Sequence, residues 1–410
     1  MASQVVVIGG SPAGMIAAGM AAVRGKDVIL FEKNKSLGKK LLLTGKGRCN
    51  ITNVGCDLQG FVENIPVNGS FMYSALKTFG SAQLIEFFNN LGLYFIEEHG
   101  GRAFPQSQKA ADVLEKLEFF LKKSRVRVIN GDVDQVVIEN GAVKGVYLSN
   151  DLYYPAKSVV VATGGLSYPQ TGSTGDGYWF AEFAGHHIVP PVPALIPLES
   201  PDKVCRELQG LSLKNVGFKV YDKNEKLVYE DFGEMLFTHF GISGPIVLSA
   251  STHLRDYEEN GYTVSIDLKS ALDMDTLEKR LQSEFDAAAK QNFSNSLGKL
   301  FPGKLTSVMV KRSGIQPEKK CSDITKDERA AFARLIKDFR VPISGTRPIE
   351  EAIITSGGVD TKEINPSTME SKLVKGLYFA GEVIDVSGYT GGFNLQIAFS
   401  TGYMAGDNVK

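Results

Sequence analysis

Residues 5–14 read VVVIGGSPAG and are followed by the helix-forming run MIAAGMAAVR and by a second apolar run, DVILFE, at 27–32. A short β-branched run before Gly-Gly is typical of a buried parallel strand, and the alanine-rich run predicts a helix that ends near Gly25. The order strand, tight turn, helix, strand predicts a βαβ unit. The helix of such a unit presents free N–H groups and a positive dipole to a pyrophosphate, so this segment predicts a dinucleotide site.

The motif departs from G-x-G-x-x-G at its second glycine, where the chain has Ser11. Gly9 permits the tight turn and Gly14 the close packing of helix on strand, while a serine is small and can itself hydrogen-bond a phosphate oxygen. Glu32 ends the second strand, where an acidic residue binds the ribose hydroxyls and disfavours the 2′-phosphate of NADP. These residues predict dinucleotide binding without separating FAD from NAD.

Two later segments favour FAD. SVVVATGG (158–165) is a strand-like run that ends in Thr-Gly-Gly, and GLYFAGEVID (376–385) ends in a glycine followed by Glu382, which would bond the ribityl or pyrophosphate region. A glycine-rich turn then leads to a helix predicted from about Phe393. One extended ligand that crosses a single sheet fits FAD, with adenine at the first βαβ unit and flavin at the last strand. The helix start near Gly392 would face the flavin N1/O2 locus and stabilise negative charge there.

Composition bounds the class of protein. The chain has 410 residues, a net charge of -1 and 22% charged residues, so two or three domains are expected and no global attraction to nucleic acid or membrane exists. Its four cysteines have no zinc-like spacing and fit a reducing compartment better than a disulfide scaffold. The N-terminal run is too short and lacks the basic residues expected of a signal peptide, and no apolar stretch reaches the roughly 18–20 residues of a membrane span. We expect a cytoplasmic protein with no metal and no membrane partner.

Three stretches resemble the BaiN/RdsA-type family of bacterial NAD(P)/FAD-dependent oxidoreductases, flavoproteins of the superfamily with two dinucleotide-binding domains. They are KKLLLTGKGRCNITN (39–53), LFTHFGISGP (236–245) and GLYFAGEVIDVSGYTGGFNLQIAFSTG (376–402). The resemblance covers nearly the whole chain, in order. It implies an α/β fold with a Rossmann-like FAD-binding domain, three-layered around a mostly parallel sheet, and with an inserted β-barrel-like domain and a small helical domain.

The implied domain limits follow. The FAD-binding domain takes both chain ends, 1–190 and 345–410, the β-barrel-like insert 191–268 with 340–350, and the helical insert 269–339. PPVPALIPLESP (190–201) is a proline-dense stretch that predicts a linker at the first border.

FAD is expected to bind tightly, with NAD(P)H as a transient reductant above the flavin. The TGKGRCN loop (44–50) follows the second strand and would lie beside the flavin. The residues expected to bind the cofactor are Gly9, Ser11, Ala13, Gly14, Glu32, Lys33, Lys40, Thr44, Gly47, Arg48, Asn50, Val133, Thr163, Gly164, Gly381, Glu382, Gly392, Phe393, Asn394 and Leu395.

Cys49 in this loop is the candidate catalytic residue, as a general acid or a redox thiol. A free cysteine is more often a small packed side chain, and that alternative stays open. Cys49 and Cys56 also suggest a disulfide reductase. Their C-x6-C spacing differs from the C-x4-C of such enzymes, and no second GxGxxG unit is present, which argues against that class.

Other polar residues suggest weaker alternatives. EEHGGRAFPQS (97–107) predicts a structured loop in which Arg102 would either hold a substrate anion or form a surface ion pair. His239 and Ser243 suggest a hydrolase, but no acidic partner pattern supports one. The pair at 186–187, His-His, is expected in a solvated turn.

The substrate is the most open question, because members of the family act on a ribosomal uridine, on steroid-like enones or on aminoketones. Two basic stretches, at 33–48 and 299–320, favour a phosphate-rich partner, or are solvated lysines with one FAD-phosphate contact. The leading function is hydride transfer from NAD(P)H through FAD to a uridine of large-subunit ribosomal RNA or its precursor, with Cys49 donating the proton to C5. The alternatives are a small-molecule flavin oxidase or reductase, and an RNA- or ribosome-binding flavoprotein with structural FAD.

Overall fold

The computed structural model describes residues 5–410. It has two compact units: the described residues up to Ala194 together with Pro348–Lys410, and Leu195–Arg347. The strands are β1 (Val5–Ile8), β2 (Val28–Glu32), β3 (Thr52–Asn53), β4 (Phe95–Glu98), β5 (Arg102–Pro105), β6 (Arg127–Asn130), β7 (Val133–Glu139), β8 (Ala142–Leu148), β9 (Tyr153–Pro155), β10 (Ser158–Val161), β11 (Ile188–Ala194), β12 (Leu198–Glu199), β13 (Ser212–Tyr221), β14 (Leu227–Phe237), β15 (Gly241–Ser243), β16 (Thr263–Asp267), β17 (Phe339–Pro342), β18 (Gly345–Thr346), β19 (Ile354–Val359) and β20 (Leu377–Phe379).

The helices complete the description. They are α1 (Pro12–Val23), α2 (Leu58–Glu63), α3 (Tyr73–Thr78), α4 (Ser81–Asn90), α5 (Ala110–Lys123), α6 (Asp176–Phe183), α7 (Lys203–Glu207), α8 (Pro245–Ser251), α9 (Tyr257–Asn260), α10 (Met274–Ala287), α11 (Phe293–Ser296), α12 (Gly303–Ser313), α13 (Lys326–Lys337) and α14 (Phe393–Asn408). No helix within residues 5–410 combines the length and the apolar character that a membrane crossing requires.

The first unit is built on a parallel sheet with the strand order β20-β10-β1-β2-β6. Every residue of β1 and β10 is buried, which explains why both strands are continuous apolar runs. The chain adds β2 and β6 on one side of β1 and then β10 and β20 on the other. The reversal between β1 and β10 is a topological switch point, and ligands of such sheets bind there, outside the carboxyl ends of the strands.

The two chain ends meet through two helices of this unit. The predicted helix α1 packs against β1, β2 and β10, and α14, which begins at Phe393 as predicted, packs on α1. The helices approach closely because glycines of α14 face the backbone of α1: a Cβ on Gly402 would lie 2.3 Å from Ala13 O, and one on Gly406 would lie 2.4 Å from Ala17 O. This contact holds the first and last segments of the chain in one core.

Small antiparallel sheets complete the first unit, in the orders β3-β5-β4, β7-β8-β9 and β11-β19. The second of them contacts the parallel sheet, where Phe31 and Tyr154 lie edge to face at 4.9 Å. The stretch 97–107, predicted as a loop, instead forms most of the β4–β5 hairpin. The border predicted within 190–201 agrees with the division of the chain after Ala194, but the stretch is not a linker there, because β11 pairs with β19. The prolines at 190 and 191 fall in a bulge of β11 where no N–H is needed.

The second unit contains an antiparallel sheet in the order β17-β16-β13-β14-β15-β12-β18. The edge strands β17 and β18 are successive parts of one segment, which pairs with β16 at its start and with β12 at its end, an arrangement that agrees with the barrel-like insert expected from the sequence. Side chains of α10, α12 and α13 share one hydrophobic core with the strands, including Phe332 of α13 and Phe339 of β17. The β-barrel-like and helical inserts, expected as separate domains, therefore form one compact unit in the structure.

His186 lies after α6 and is buried, so its predicted place in a solvated turn is wrong. Its Nδ1 is 3.0 Å from Glu363 Oε2, and its Nε2 is 2.7 Å from Ser371 Oγ. The Ser371 oxygen already accepts the N–H groups of Leu373 and Val374, so its proton is donated to His186 Nε2. The imidazole is therefore neutral, with its proton on Nδ1.

Acidification is expected to destabilise this contact. Burial lowers the pKa of His186 against the opposing effect of Glu363, so unfolding takes up a proton. The stabilisation is complete above the unfolded pKa of about 6.5 and is lost as the pH falls through the folded pKa, by at most about 1.4 kcal/mol per pH unit. The free energy of unfolding, measured with urea between pH 7.5 and pH 5, should fall less steeply with decreasing pH for His186→Gln than for the wild type. Equal slopes would contradict the assignment.

Candidate functional site

The turn after β1 and the loop after β10 meet at the switch point with almost no space between their backbones. A Cβ on Gly9 would lie 2.6 Å from Ala162 O, and a Cβ on Gly14 would lie 2.0 Å from Gly9 O. Only glycine permits this approach at Gly14, the position at which the third glycine of the motif packs helix on strand. The geometry leaves the start of α1 facing the carboxyl edge of the sheet, where a pyrophosphate would bind.

The Ser11 side chain, predicted to contact a phosphate, also has a structural role within the chain. Its Oγ accepts the Gly14 N–H at 3.2 Å and donates to Ala162 O at 2.8 Å, so the hydroxyl caps α1 and links it to the loop after β10. Its φ of -73° does not require glycine. The sequence did contain the signal, because serine followed by Pro12 is a typical N-cap with proline in the first turn.

Glu32 lies at the end of β2, beside the glycine turn. Its Oε2 accepts the Gly10 N–H at 2.8 Å, and its Oε1 accepts the backbone and side-chain N–H groups of Asn34, each at 2.7 Å. These bonds fix the carboxylate at the edge between β1 and β2. The position and the acidic group suit a ribose hydroxyl, as predicted from the motif.

An ion pair joins three segments at the same edge of the sheet. Lys40 Nζ is 2.6 Å from Glu382 Oε2 and donates to Ser167 Oγ at 2.6 Å. Glu382 Oε1 accepts the Ser167 hydroxyl at 3.0 Å and the Thr355 N–H at 2.8 Å. Both oxygens of Glu382, predicted to contact the ribityl or pyrophosphate region, thus hold the loops together. The sequence carries no local signal for Ser167 or Thr355, because their partners are remote in the chain.

Three buried polar atoms near these loops have no hydrogen-bond partner among the described residues: Asn50 Oδ1, Thr163 Oγ1 and Tyr178 OH. Burial, with smaller contributions from Glu382 and Asp385, raises the pKa of Tyr178, so the phenol is protonated and can donate. Leaving a buried polar atom unpaired costs about 1–3 kcal/mol, so such atoms commonly mark a ligand or water site. Together with the glycine turn, they fit a polar, extended cofactor such as FAD.

The start of α14 lies against the segment that follows the 44–50 loop. Gly392 caps the helix with φ +103°, and a Cβ on it would lie 2.4 Å from the carbonyl carbon and oxygen of Thr52. Asn53 Nδ2 donates to Gly391 O at 3.3 Å. Asn394, predicted at the cofactor, uses its side chain to close the turn, accepting from the N–H of residue 388 and donating to its carbonyl. The positive end of α14 therefore adjoins β3, the strand that follows the 44–50 loop.

Within the 44–50 loop, Thr44 Oγ1 donates to the carbonyl of residue 41 at 2.6 Å. Arg48 turns away toward the β4–β5 hairpin, where it pairs with Glu98 and lies 4.0 Å from the centre of the Phe104 ring. Its guanidinium is therefore engaged within the chain rather than free for the pyrophosphate. Arg102 lies over the same ring and 3.9 Å from Glu98, whose pKa the Arg48 hydrogen bond lowers. Arg102 thus belongs to a surface ion-pair cluster.

Cys49 has no exposed surface, and burial raises the pKa of its thiol to about 12 despite a hydrogen bond with Thr44. A proton donor must contact the substrate, and this thiol does not reach the surface of the chain. The structure therefore argues against the catalytic role expected for Cys49. It favours the alternative, in which Cys49 is a packed side chain. Cys56 is half-buried, and burial raises its pKa too.

Cys49→Ala is accordingly expected to keep most of the flavin-dependent oxidoreductase activity of the protein. The lost sulfur should lower the free energy of unfolding by about 1 kcal/mol, the value of one buried methylene-sized group. Steady-state rates and urea unfolding would measure both quantities, with Cys56→Ala as the matched control. A loss of activity of about 100-fold at unchanged stability would restore Cys49 as the proton donor.

The remaining predicted residues are distributed along the same edge or inside the chain. A Cβ on Gly381 would lie 3.0 Å from Ala13 Cβ, so the end of β20 adjoins the start of α1. Gly164 follows β10, Gly47 is exposed in its loop, Phe393 and Leu395 are in the first turn of α14, and Val133 begins β7. His239 is exposed and precedes β15, which contains Ser243. Within residues 5–410, no three His, Cys, Asp or Glu side chains are grouped as metal ligands.

Many charges of the two basic stretches are paired inside the fold. Lys33 pairs with Asp176, and Arg48 and Lys40 have the partners described above. In the second stretch, residues 311, 312 and 319 pair with Glu207, Asp202 and Glu328. These pairs leave less free positive charge than the sequence alone suggested, so the two stretches taken as a whole do not argue for a nucleic-acid partner.

The chain matches the family model described as HI0933-like protein Rossmann domain over residues 3–408. It is 33% identical over 408 residues to the 3-dehydro-bile acid delta(4,6)-reductase of Clostridium scindens, covering 98% of each chain. It is 32% identical over 406 residues to the ribosomal RNA dihydrouridine synthase of Haemophilus influenzae, covering 98% of this chain and 97% of the relative.

Among solved structures, a flavocytochrome c3 fumarate reductase in its open conformation resembles the fold. The TM-score is 0.55 at 17% identity, with 99% of this chain and 78% of that chain covered. At this identity the likeness concerns the fold alone: an α/β flavoprotein fold with a parallel Rossmann-like sheet and additional antiparallel sheets. The family match and the two relatives show the family of this chain. They confirm the resemblance that the three sequence stretches indicated. The chain belongs to the HI0933-like family of FAD-dependent oxidoreductases.

Proposed function

We propose that this chain uses NAD(P)H and FAD to reduce a C=C bond of a uridine in large-subunit ribosomal RNA or its precursor. The cofactor part of this proposal rests on the carboxyl edge of the parallel sheet at the switch point. There Gly9 and Gly14 leave no room for a side chain, and the hydroxyl of Thr163 is buried with no partner among the described residues. Bound FAD would supply the transfer of hydride. The chain itself contributes binding, orientation and charge.

Each part of the site has a task in this proposal. The turn at Gly9 and the start of α1 would bind the pyrophosphate, and Glu32 the adenosine ribose. Lys40 and Glu382 hold the loops around the cofactor. The positive end of α14 at Gly392 would stabilise negative charge at the pyrimidine side of the flavin.

Both relatives are named for the addition of hydrogen across a C=C bond, so the reaction type is supported more strongly than the substrate. The observation that favours a polynucleotide is the loop beside the carboxyl edge of the sheet, where FAD is proposed to bind. In this loop Leu42, Leu43 and Lys46 are exposed. This loop lies between Lys40, bonded to Glu382, and Asn53, bonded to Gly391. Apolar and basic side chains together suit a base and its phosphates. A small enone resembling a bile acid is the second candidate, because the bile acid reductase is about as similar to this chain as the dihydrouridine synthase is.

Mapping dihydrouridine in ribosomal RNA tests the proposal. Large-subunit RNA from cells with and without this gene would be compared by reverse transcription, which the saturated base blocks. We expect one position to lose the modification and to regain it with the wild-type gene but not with Gly14→Val. An unchanged pattern would refute the RNA substrate, and NAD(P)H oxidation by the holoenzyme with steroid-like enones and aminoketones would then be measured.

A further inference from the structure

The hydroxyl of Tyr178 is buried without a hydrogen-bond partner. Tyr178 is the third residue of α6 and is 7% exposed, and its OH has no partner among the described residues. Such a hydroxyl has given up its hydrogen bonds to water and gained none within the chain, which costs free energy. Groups of this kind usually mark the position of a ligand or of an ordered water. The donor of Tyr178 is therefore left for a partner from outside the chain.

The glycine before Tyr178 fixes the start of α6 against the parallel sheet. A Cβ on Gly177 would lie 2.2 Å from Thr163 Oγ1 and 2.8 Å from Val383 Cγ2, so no larger residue permits this approach. Thr163 follows β10 and Val383 follows β20, so α6 begins against the carboxyl ends of these two strands. Tyr178 therefore lies in the first turn of a helix at the edge where FAD is proposed to bind.

Two carboxylates lie near the phenol without accepting its proton. Burial raises the pKa of Tyr178, and the charges of Glu382 and Asp385 raise it further, so both carboxylates lie close enough to act on the hydroxyl. Glu382 is bonded to the loops described above, and Asp385 accepts the N–H of Gly357 at 3.0 Å and the Asn68 amide at 2.9 Å. A group that accepts from the phenol and donates to a carboxylate suits this place. A hydroxyl does both, whereas a phosphate only accepts and is repelled by the carboxylates.

The order of the strands separates Tyr178 from the place proposed for the adenosine ribose. Glu32, proposed to bind that ribose, ends β2, whereas Tyr178 lies at the ends of β10 and β20. The order β20-β10-β1-β2 puts three strand spacings, about 14 Å, between β2 and β20. One sugar ring does not span that distance, so a cofactor hydroxyl at Tyr178 belongs to the other part of an extended ligand. In FAD that part is the ribityl chain.

We propose that Tyr178 donates a hydrogen bond to a ribityl hydroxyl of FAD and so positions the flavin end of the cofactor. This inference rests on the cofactor part of the proposed function and is independent of the RNA substrate. The residue lies outside the glycine turn and the other motifs that predicted the dinucleotide site. An ordered water is the other group that would complete the phenol, and with water alone the affinity for FAD would not depend on the hydroxyl.

Tyr178→Phe removes the hydroxyl and keeps the ring. The dissociation constant of FAD would be measured by diluting the holoenzyme and following the fluorescence of released flavin. That of ADP would be measured from the FAD displaced at increasing ADP concentration. ADP contains the adenosine and the diphosphate of FAD but neither the ribityl chain nor the flavin. We expect Tyr178→Phe to weaken FAD binding about 10-fold, within the range for one lost hydrogen bond, and to leave ADP binding unchanged.

Tyr257→Phe is the matched control, because the OH of Tyr257, in the second unit, is also buried with no partner among the described residues. It should leave both dissociation constants unchanged. Neither substitution removes a hydrogen bond of the chain, so neither should lower the midpoint of thermal unfolding of the flavin-free protein.

Two outcomes would overturn the inference. Unchanged FAD affinity in Tyr178→Phe would assign the hydroxyl to water alone. Equal weakening of FAD and ADP would place the effect on the adenosine diphosphate part of the cofactor, away from the ribityl chain. Failure of the proposed function is detected separately, from the ribosomal RNA of the deletion strain. An unchanged dihydrouridine pattern together with selective loss of FAD affinity would refute the RNA substrate and leave the role of Tyr178 intact.

Discussion

Gly14→Ala is expected to yield protein without bound flavin. The added Cβ would lie 2.0 Å from Gly9 O, which belongs to a backbone turn and cannot rotate away. Gly9 cannot retreat either, because its own position is limited by Ala162 O, 2.6 Å from where its Cβ would be. Helix α1 would have to move off the sheet, and overpacking of this kind costs about 3 kcal/mol or more. The displaced helix start would no longer meet a pyrophosphate.

The ratio of FAD to protein after purification, with thermal unfolding, would measure the effect. Gly303→Ala is the matched control, since a Cβ there meets nothing within 4 Å at the start of α12. We expect that control to be neutral or stabilising by up to about 1 kcal/mol. A Gly14→Ala protein with full flavin content and an unchanged midpoint would mean that the turn relaxes freely, and the assignment of the pyrophosphate to this turn would lose its main support.

Gly392→Ala is expected to produce the second largest loss, at the helix start proposed to face the flavin. Alanine at φ +103° is strained by about 1–2 kcal/mol, and its Cβ would lie 2.4 Å from the carbonyl group of Thr52. The start of α14 would separate from the strand that follows the 44–50 loop. Flavin affinity and the rate of NAD(P)H oxidation should fall together, while the turn at Gly9 stays intact.

Gly314→Ala separates the two causes. Gly314 ends α12 with φ +72° and no atom within 4 Å of a Cβ, so its replacement adds backbone strain without overlap. The dissociation constant of FAD would be measured by the recovery of flavin fluorescence on dilution. If Gly392→Ala proved no worse than Gly314→Ala in stability and retained FAD equally well, the contact with Thr52 would not matter for the site.

The βαβ unit, the strand SVVV and helix α14 could be predicted because their signals are local. A strand buried on both faces must be apolar throughout, and a helix start needs its cap within three residues. The hairpin β4–β5 and strand β11 could not be predicted from local signals. Glycines and prolines usually indicate a turn or loop, but they become part of a strand when a partner strand accommodates the bulge or turn. That partner lies elsewhere in the chain.

For the site, the sequence by itself determined the glycine turn, Glu32 and the family, since these depend on spacing over a few tens of residues. Only the tertiary structure decided which side chains remain available for chemistry. Arg48 is bonded to a residue 50 positions away, and Lys40 to one 342 positions away, so their charges are already used. Cys49 has suitable chemistry, but burial removes it from the surface and raises its pKa. Whether a group is free depends on long-range contacts, and no local pattern of residues records those contacts.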